Sequence, residues 1–230
     1  MAHLLTKSKF IRGLQCQRAL WLDVFNPRMA RYSAETLAKF RAGRGFEHTF
    51  KDTFPEGIDI SKRLGKRISE YPVLTAKLLL SPGAVTLFEA GFLHDDVLVL
   101  ADVVCKHEDG SIDIFEVKNG SHVTETFRND VSIQTYVIHH ALYKTGGEDL
   151  FGPCLRLEHF YVLYNGGDEG FQQEDLLTAA LAREEEIATH VAQFKETLRL
   201  PEPAIAMSPH CDIPYECPYK QYCTQMKVLL

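Results

Sequence analysis

No apolar run in this 230-residue chain approaches the ~20 residues of a membrane-spanning helix, so no membrane partner is expected. The opening MAHLLTKSKFIRG carries neither a signal-peptide h-region nor a small-residue cleavage site, which makes a cytoplasmic location the expectation. Internal repeats and low-complexity segments are missing, which excludes repeat arrays and compositional tails. The six cysteines include no Cys-x-x-Cys pair, so a zinc ribbon is excluded, and a cytosolic chain of this size is not expected to use them as disulfides. An excess of positive charge is also missing: 25 Lys and Arg face 31 Asp and Glu, for a net charge of −6.

That last absence hides an asymmetry. Residues 1–77 carry 15 basic and 7 acidic side chains, whereas residues 78–230 carry 10 and 24. The basic part clusters as Lys7, Lys9, Arg12 and Arg18, then Arg28, Arg31, Lys39, Arg41 and Arg44, then Lys62, Arg63, Lys66 and Arg67. Such clusters are either a phosphate-tracking surface or ordinary solvated helix faces. At 45% hydrophobic and 24% charged residues, the chain is an ordinary globular sequence, long enough for one sizeable core.

The chemistry concentrates in residues 98–120, LVLADVVCKHEDGSIDIFEVKNG. Two strands joined by a turn at His107-Glu108-Asp109-Gly110 are predicted, since Asp-Gly is a strong hairpin signal. Alternation puts Glu116 and Lys118 on one face, and the hairpin can bring Asp102 to it. Hard carboxylate ligands hold Mg2+ or Mn2+, and an ammonium beside them offsets charge developing on a phosphate. The plainer reading of Glu116 and Lys118 is a solvated ion pair. Asp102 is harder to dismiss, because an unpaired carboxylate within VLVLADVVC is costly. Glu89, an isolated acid in LFEAGF, either supports such a site or pairs with Lys118.

Around this hairpin, helices are predicted over 6–23, over 33–54 and over 61–80, the last interrupted at Pro72. Strands follow at 84–92, 97–105 and 111–118, a helix at 125–145, a strand at 155–163 and a helix at 175–199. The order predicts an α/β fold with a central mixed sheet and helices on its faces. Cys105 and Cys154 read as small core residues. Cys211, Cys217 and Cys223 crowd the tail, and Cys16 is the candidate fourth thiolate for either an iron–sulfur cluster or zinc.

Asp102, thirteen intervening residues and then Glu116-Val117-Lys118 resemble the signature of the PD-(D/E)XK nucleases, in their RecB-type branch. The resemblance implies a restriction-endonuclease-like core: one domain over 1–230, with a helical region at 1–80, the catalytic sheet at 84–163, a helix at 175–199 and a cysteine-rich clasp at 207–230. It implies that Asp102 and Glu116 bind Mg2+ or Mn2+, that the Val117 carbonyl is a further ligand, and that Lys118 is the catalytic lysine. A histidine on an N-terminal helix completes the metal site in that branch, which points to His48. Glu47 is an adjacent competitor, about 100° away around the helix. Gln134, sixteen residues after Lys118, matches the branch's glutamine and joins the catalytic set. The tyrosine expected four residues later is replaced by Ile138, with Tyr136 nearby.

The tail extends the resemblance. One RecB-type group, including CRISPR-associated adaptation exonucleases and a bacterial helicase–nuclease subunit, holds a [4Fe–4S] cluster on one cysteine before the core and three after it. A bacterial family built on the same core has a similar tail. Cys16, Cys211, Cys217 and Cys223 fit that layout, with zinc as the alternative. The spacing from Cys217 to Cys223 agrees with the group; that from Cys211 to Cys217 is longer, and His210 stands beside Cys211 as a substitute. The function implied is a metal-dependent deoxyribonuclease, with exonuclease action, on single-stranded DNA or duplex ends, beside a helicase or CRISPR-adaptation partner. Two alternatives stay open: a non-catalytic nucleic-acid-binding module with a structural cluster or zinc site, and a cytosolic redox or metal sensor built on the cysteines.

Overall fold

A computed structural model describes residues 3–143 and 155–226. Its centre is a mixed sheet of seven strands. Strands β3 (Val85–His94), β4 (Val97–Lys106) and β5 (Ser111–Lys118) form the expected meander, antiparallel throughout. The β4–β5 turn closes through the His107 amide to the Ser111 carbonyl, with Gly110 in the left-handed region its glycine permits. Helix α6 (Glu125–Tyr143) then crosses to β6 (Arg156–Asn165), which lies parallel to β5. On the far edge, β7 (Phe171–Asp175) runs antiparallel to β6. Two short strands complete the sheet in parallel pairings, β1 (Leu5–Thr6) on β4 and β2 (Ile58–Asp59) on β3.

The helices divide between the two faces. On one face α6 packs with α1 (Lys7–Gln15), α5 (Tyr71–Leu79) and α8 (Glu184–Thr197) over Ala90, Phe92, Val99, Ala101, Ile114 and Val162. The other face carries α3 (Ala34–Lys51), whose Phe46 and Phe50 cover Phe88, Val103, Val117 and Leu163. Burying both faces explains why the central strands are nearly continuous apolar runs. At Gly13 a Cβ would come within 2.7 Å of the Phe194 ring, so only glycine lets α1 lie this close to α8.

Several predicted elements divide. The 6–23 helix is two, α1 and α2 (Gln17–Phe25), separated by Cys16 in extended backbone at φ −164°. The apolar residues of α1 face the sheet, whereas α2 serves two cores, with Leu20 in the larger one and Ala19 and Leu22 packed with Cys211, Cys217 and Tyr219. The 61–80 helix is α4 (Ile60–Leu64) and α5, and Pro72 sits in the first turn of α5, where its missing N–H costs nothing. The 175–199 helix is α7 (Leu177–Leu181) and α8. Asp175 stops β7 and caps the turn, its carboxylate accepting from the amides of Phe160 and Leu177. β7 itself, FQQED, lacks apolar alternation because it is a largely exposed edge strand. The last helix, α9 (Lys220–Met226), closes the described chain. Cys154 lies outside the described residues. No helix among them is long and apolar enough to cross a membrane.

Candidate active site

The β3–β4 ladder contains one paired irregularity. Leu87, Ala90 and Phe92 of β3 all point into the larger core, as do Val99, Ala101 and Val104 of β4. A step of three therefore interrupts the alternation of two in both strands at the same place. Phe88 pairs with Val103 and Ala90 with Ala101, so Glu89 and Asp102 face each other across the step. Glu89 takes a φ of +54°, a conformation that costs a non-glycine residue energy and tends to persist at functional sites.

Beside Asp102 the sheet forks. β4 and β5 pair from Val103 with Phe115 to Lys106 with Ile112, and their ladder stops there. Beyond it, Val97 and Leu98 of β4 pair with β1 instead. The freed Val117 amide donates to Asp102 Oδ2 at 2.8 Å, so a side chain replaces the next backbone partner. β1 leads directly into α1, and Lys7, the first residue of that helix, enters the fork.

Glu116 is buried at the centre. Its Oε1 accepts from Lys7 Nζ and from Lys118 Nζ, each at 2.7 Å, and its Oε2 accepts from Gln134 Nε2 at 2.7 Å. Lys118 also donates to Asp130, one turn before Gln134 on α6. Burial works against ionisation of Glu116, but Lys118 and Lys7 outweigh it and hold the carboxylate well below its ordinary range. Burial likewise opposes the charge on Lys118, and Glu116 and Asp130 overcome it, so Lys118 is held well above its usual pKa. Asp102 goes the other way. Burial, reinforced by the Glu116 charge, pushes it up to about 7. Three carboxyls, Asp102, Glu116 and Asp130, thus share this site with two lysines.

The α3 face supplies the rest. One carboxylate oxygen from each of Glu47, Glu89 and Asp102 lies within 4.8 Å of the others. Lys51 bridges Glu47 and Glu89, donating to Glu89 Oε1 at 2.7 Å. Burial raises the Glu89 pKa although Lys51 opposes it. The structure brings Asp102, Glu116, Val117, Lys118, Gln134 and Glu89 to this fork. It does not bring His48, which is exposed on α3 and pairs with Asp52 at 3.3 Å. The α3 residue at the cluster is Glu47, because successive helix positions point about 100° apart and Glu47 shares the inward side with Lys51, one turn on. Glu89 pairs with Lys51 rather than with Lys118. Tyr136 is buried against His94 and His140.

Sequence reading missed Lys7, Lys51 and Asp130. Asp130 and Gln134 stand four apart on α6, the spacing that aligns two side chains on one helix face, and this signal was present. Nothing local marks Lys7. Five of the other clustered basic residues are in ion pairs within the fold: Arg12 with Asp23, Arg18 with Glu202, Lys39 with Glu35, Lys62 with Asp59 and Arg67 with Glu70.

The cysteines meet elsewhere. Cys16, Cys211, Cys217 and Cys223 line one small cavity between α2 and the C-terminal segment, and all four are free thiols. His210 borders it too, with its Nδ1 engaged by the Ser208 hydroxyl. Burial raises the Cys217 and Cys223 thiols, and Cys16 and Cys211 add to the shift. Around the cavity Gln15 donates to the carbonyls of His210 (2.9 Å) and Tyr215 (2.6 Å), and Tyr219 donates to Asp23 at 2.6 Å. Among the described residues, the groups of three metal-ligating atoms within 4.8 Å are the carboxylate trio and His139–His140–Glu184; the sulfurs form no such group. No protein-family model matches the chain, and neither does any curated protein.

Proposed function

We propose that the chain is a divalent-metal-dependent nuclease of the PD-(D/E)XK type, hydrolysing DNA phosphodiester bonds. The observation that carries this reading is the fork, where Asp102, Glu116 and Lys118 converge with Gln134 behind them. The oxygen-rich donor set suits Mg2+ or Mn2+, and burial, with the Glu116 charge beside it, raises the Asp102 pKa to about 7, a cost of ionisation that a bound cation would offset. Asp102, Glu116 and the Val117 carbonyl would hold the ion, with Glu47 in the place expected of His48 and Glu89 beside it. Once bound, such an ion polarises a phosphate and lowers the pKa of a coordinated water.

The protein's own groups do the rest. Lys118 positions or activates the nucleophilic water and offsets charge on the phosphate oxygens. Gln134 fixes Glu116 by donating to Oε2, while its own Oε1 is buried with no partner, an acceptor free for an ordered water. Outside the fork, Arg44 and Arg41 lie about one and two turns up α3 from Glu47, on an exposed stretch. Exposed Tyr32 and Phe40 stand edge-to-face at 5.7 Å there. Cations next to exposed rings suit single-stranded DNA, through phosphate pairing and base stacking.

The four thiols that line one cavity support a [4Fe–4S] cluster, with zinc as the alternative. Protein purified without oxygen should be brown, with about four iron and four sulfide per chain; colourless protein with stoichiometric zinc would sink the cluster. For the activity, end-labelled single- and double-stranded DNA is incubated with Mg2+, Mn2+ or EDTA, using the wild type and Lys118→Ala. Cleavage that requires metal and is lost in the variant supports the nuclease. Cleavage surviving Lys118→Ala, or binding without cleavage in cluster-loaded protein, overturns it.

A further inference from the structure

A second group of metal-ligating side chains lies away from the fork. His139 and His140, near the end of α6, converge on Glu184, the first residue of α8. His140 Nε2 lies 2.8 Å from Glu184 Oε1, and His139 Nδ1 lies 3.7 Å from Glu184 Oε2. One atom from each of the three falls within 4.8 Å of the other two. The helical rise places His139 about 13 Å along α6 from Asp130, so this group is separate from the carboxylate site.

Two observations separate this trio from an ordinary ion pair. His139 Nδ1 is buried with no hydrogen-bond partner, and an unsatisfied buried nitrogen needs a reason. On the other side, the His140 ring is stacked on His94 at 4.4 Å and 9°, which fixes its plane so that Nε2 faces Glu184. A buried free imidazole nitrogen, a ring held in orientation and a half-exposed carboxylate make an open three-ligand set.

We propose that His139, His140 and Glu184 bind a divalent transition ion of the zinc class, tying α6 to α8. Two imidazoles and one carboxylate suit such an ion and poorly suit Mg2+. Bonds of about 2.0–2.1 Å in tetrahedral geometry place ligand atoms about 3.4 Å apart. The 3.7 Å pair is close to that already, and the 2.8 Å pair must open by about half an ångström. The fourth position stays open to water. The ion would brace α8 against the helix that carries Asp130 and Gln134.

The test is Zn2+ titration of full-length protein by calorimetry, with excess Mg2+ present, on the wild type, Glu184→Gln and the His139→Ala/His140→Ala pair. The cysteine and carboxylate sites are common to all three, so the difference isolates this site. The wild type should bind one more equivalent than the double variant, and Glu184→Gln should weaken that equivalent at least tenfold. Zn2+ should also shift the ring nitrogen resonances of both histidines and raise the wild-type melting temperature. Equal stoichiometry and affinity across the three proteins, with both ring signals unmoved, overturns the proposal. Should the double variant fail to fold, Glu184→Gln decides alone, since that side chain is already partly exposed.

Discussion

Lys7 and Glu116 stand 109 positions apart in the chain and 2.7 Å apart in the fold. The ion pair forms because β1 takes over the edge of β4 where β5 leaves it, delivering the first residue of α1 into the fork. Lys7 is the second cation on a buried carboxylate that also holds Lys118 and Gln134. Removing one partner of such a network leaves buried charge uncompensated. Lys7→Met is expected to cost about 3 kcal/mol of stability by urea denaturation and to depress cleavage. A loss below about 0.5 kcal/mol, the size of an exposed pair, would show that Lys118 alone satisfies Glu116.

Adjacent residues on α3 give a sharp contrast. Glu47 belongs to the carboxylate trio and His48 does not. Glu47→Gln should weaken Mn2+ binding at least tenfold, and His48→Gln should leave binding and cleavage within twofold of wild type. The reverse pattern would mean that α3 turns when metal binds.

The raised pKa of Asp102 predicts how metal binding depends on pH. Below about 7 the metal-free protein keeps the proton, and a cation must displace it. The apparent Mn2+ affinity should therefore fall by up to about tenfold for each pH unit below that point, with about one proton released per ion in calorimetry run in two buffers. A flat affinity between pH 5.5 and 7.5 would remove Asp102 from the ligand set.

Stability in the absence of metal follows the same sign. A carboxyl whose folded pKa is raised above its unfolded value stabilises the fold while protonated, and that contribution is lost as pH rises through the folded value. For Asp102 the loss runs up to about 7. Glu116, held low by its lysines, contributes in the opposite sense: its stabilisation is present at neutral pH and disappears in strong acid. Asp102→Asn should accordingly raise the melting temperature of metal-free protein at pH 8 while abolishing cleavage, the exchange expected of a site strained for function. A lower melting temperature for Asp102→Asn would show that the hydrogen bond from Val117 matters more than the charge.

The cysteine cavity offers a structural readout. If the proposed cluster is bound, Cys217→Ser should lower the iron content of protein purified without oxygen and loosen the segment from Pro209 to Tyr222, seen as faster amide exchange there. The hydrogen bonds from Gln15 to the His210 carbonyl and from Tyr219 to Asp23 dock that segment against α1 and α2. Unchanged iron content in Cys217→Ser would remove this cysteine from the set.

The sequence by itself determined the sheet and the heart of the candidate site. Three apolar runs with an Asp-Gly turn can only form a buried meander, and Glu116 and Lys118, two apart on a strand, share a face whatever surrounds them. Gln134 was legible only through the resemblance to the RecB-type nucleases. The edge strand β7 was not, because its exposed pattern carries no burial signal. The break at Cys16 was not either, because the second core on which α2 packs Ala19 and Leu22 is assembled from the distant C-terminal segment. Whether Glu47 or His48 turned inward depended on the rotation of α3 over the sheet, which Phe46 and Phe50 set by packing. The choice of Lys7 from a crowd of basic residues, and the facing of Glu89 with Asp102, came from strand pairing between distant segments. Local sequence fixes which side chains can share a face, and only long-range packing decides which of them meet.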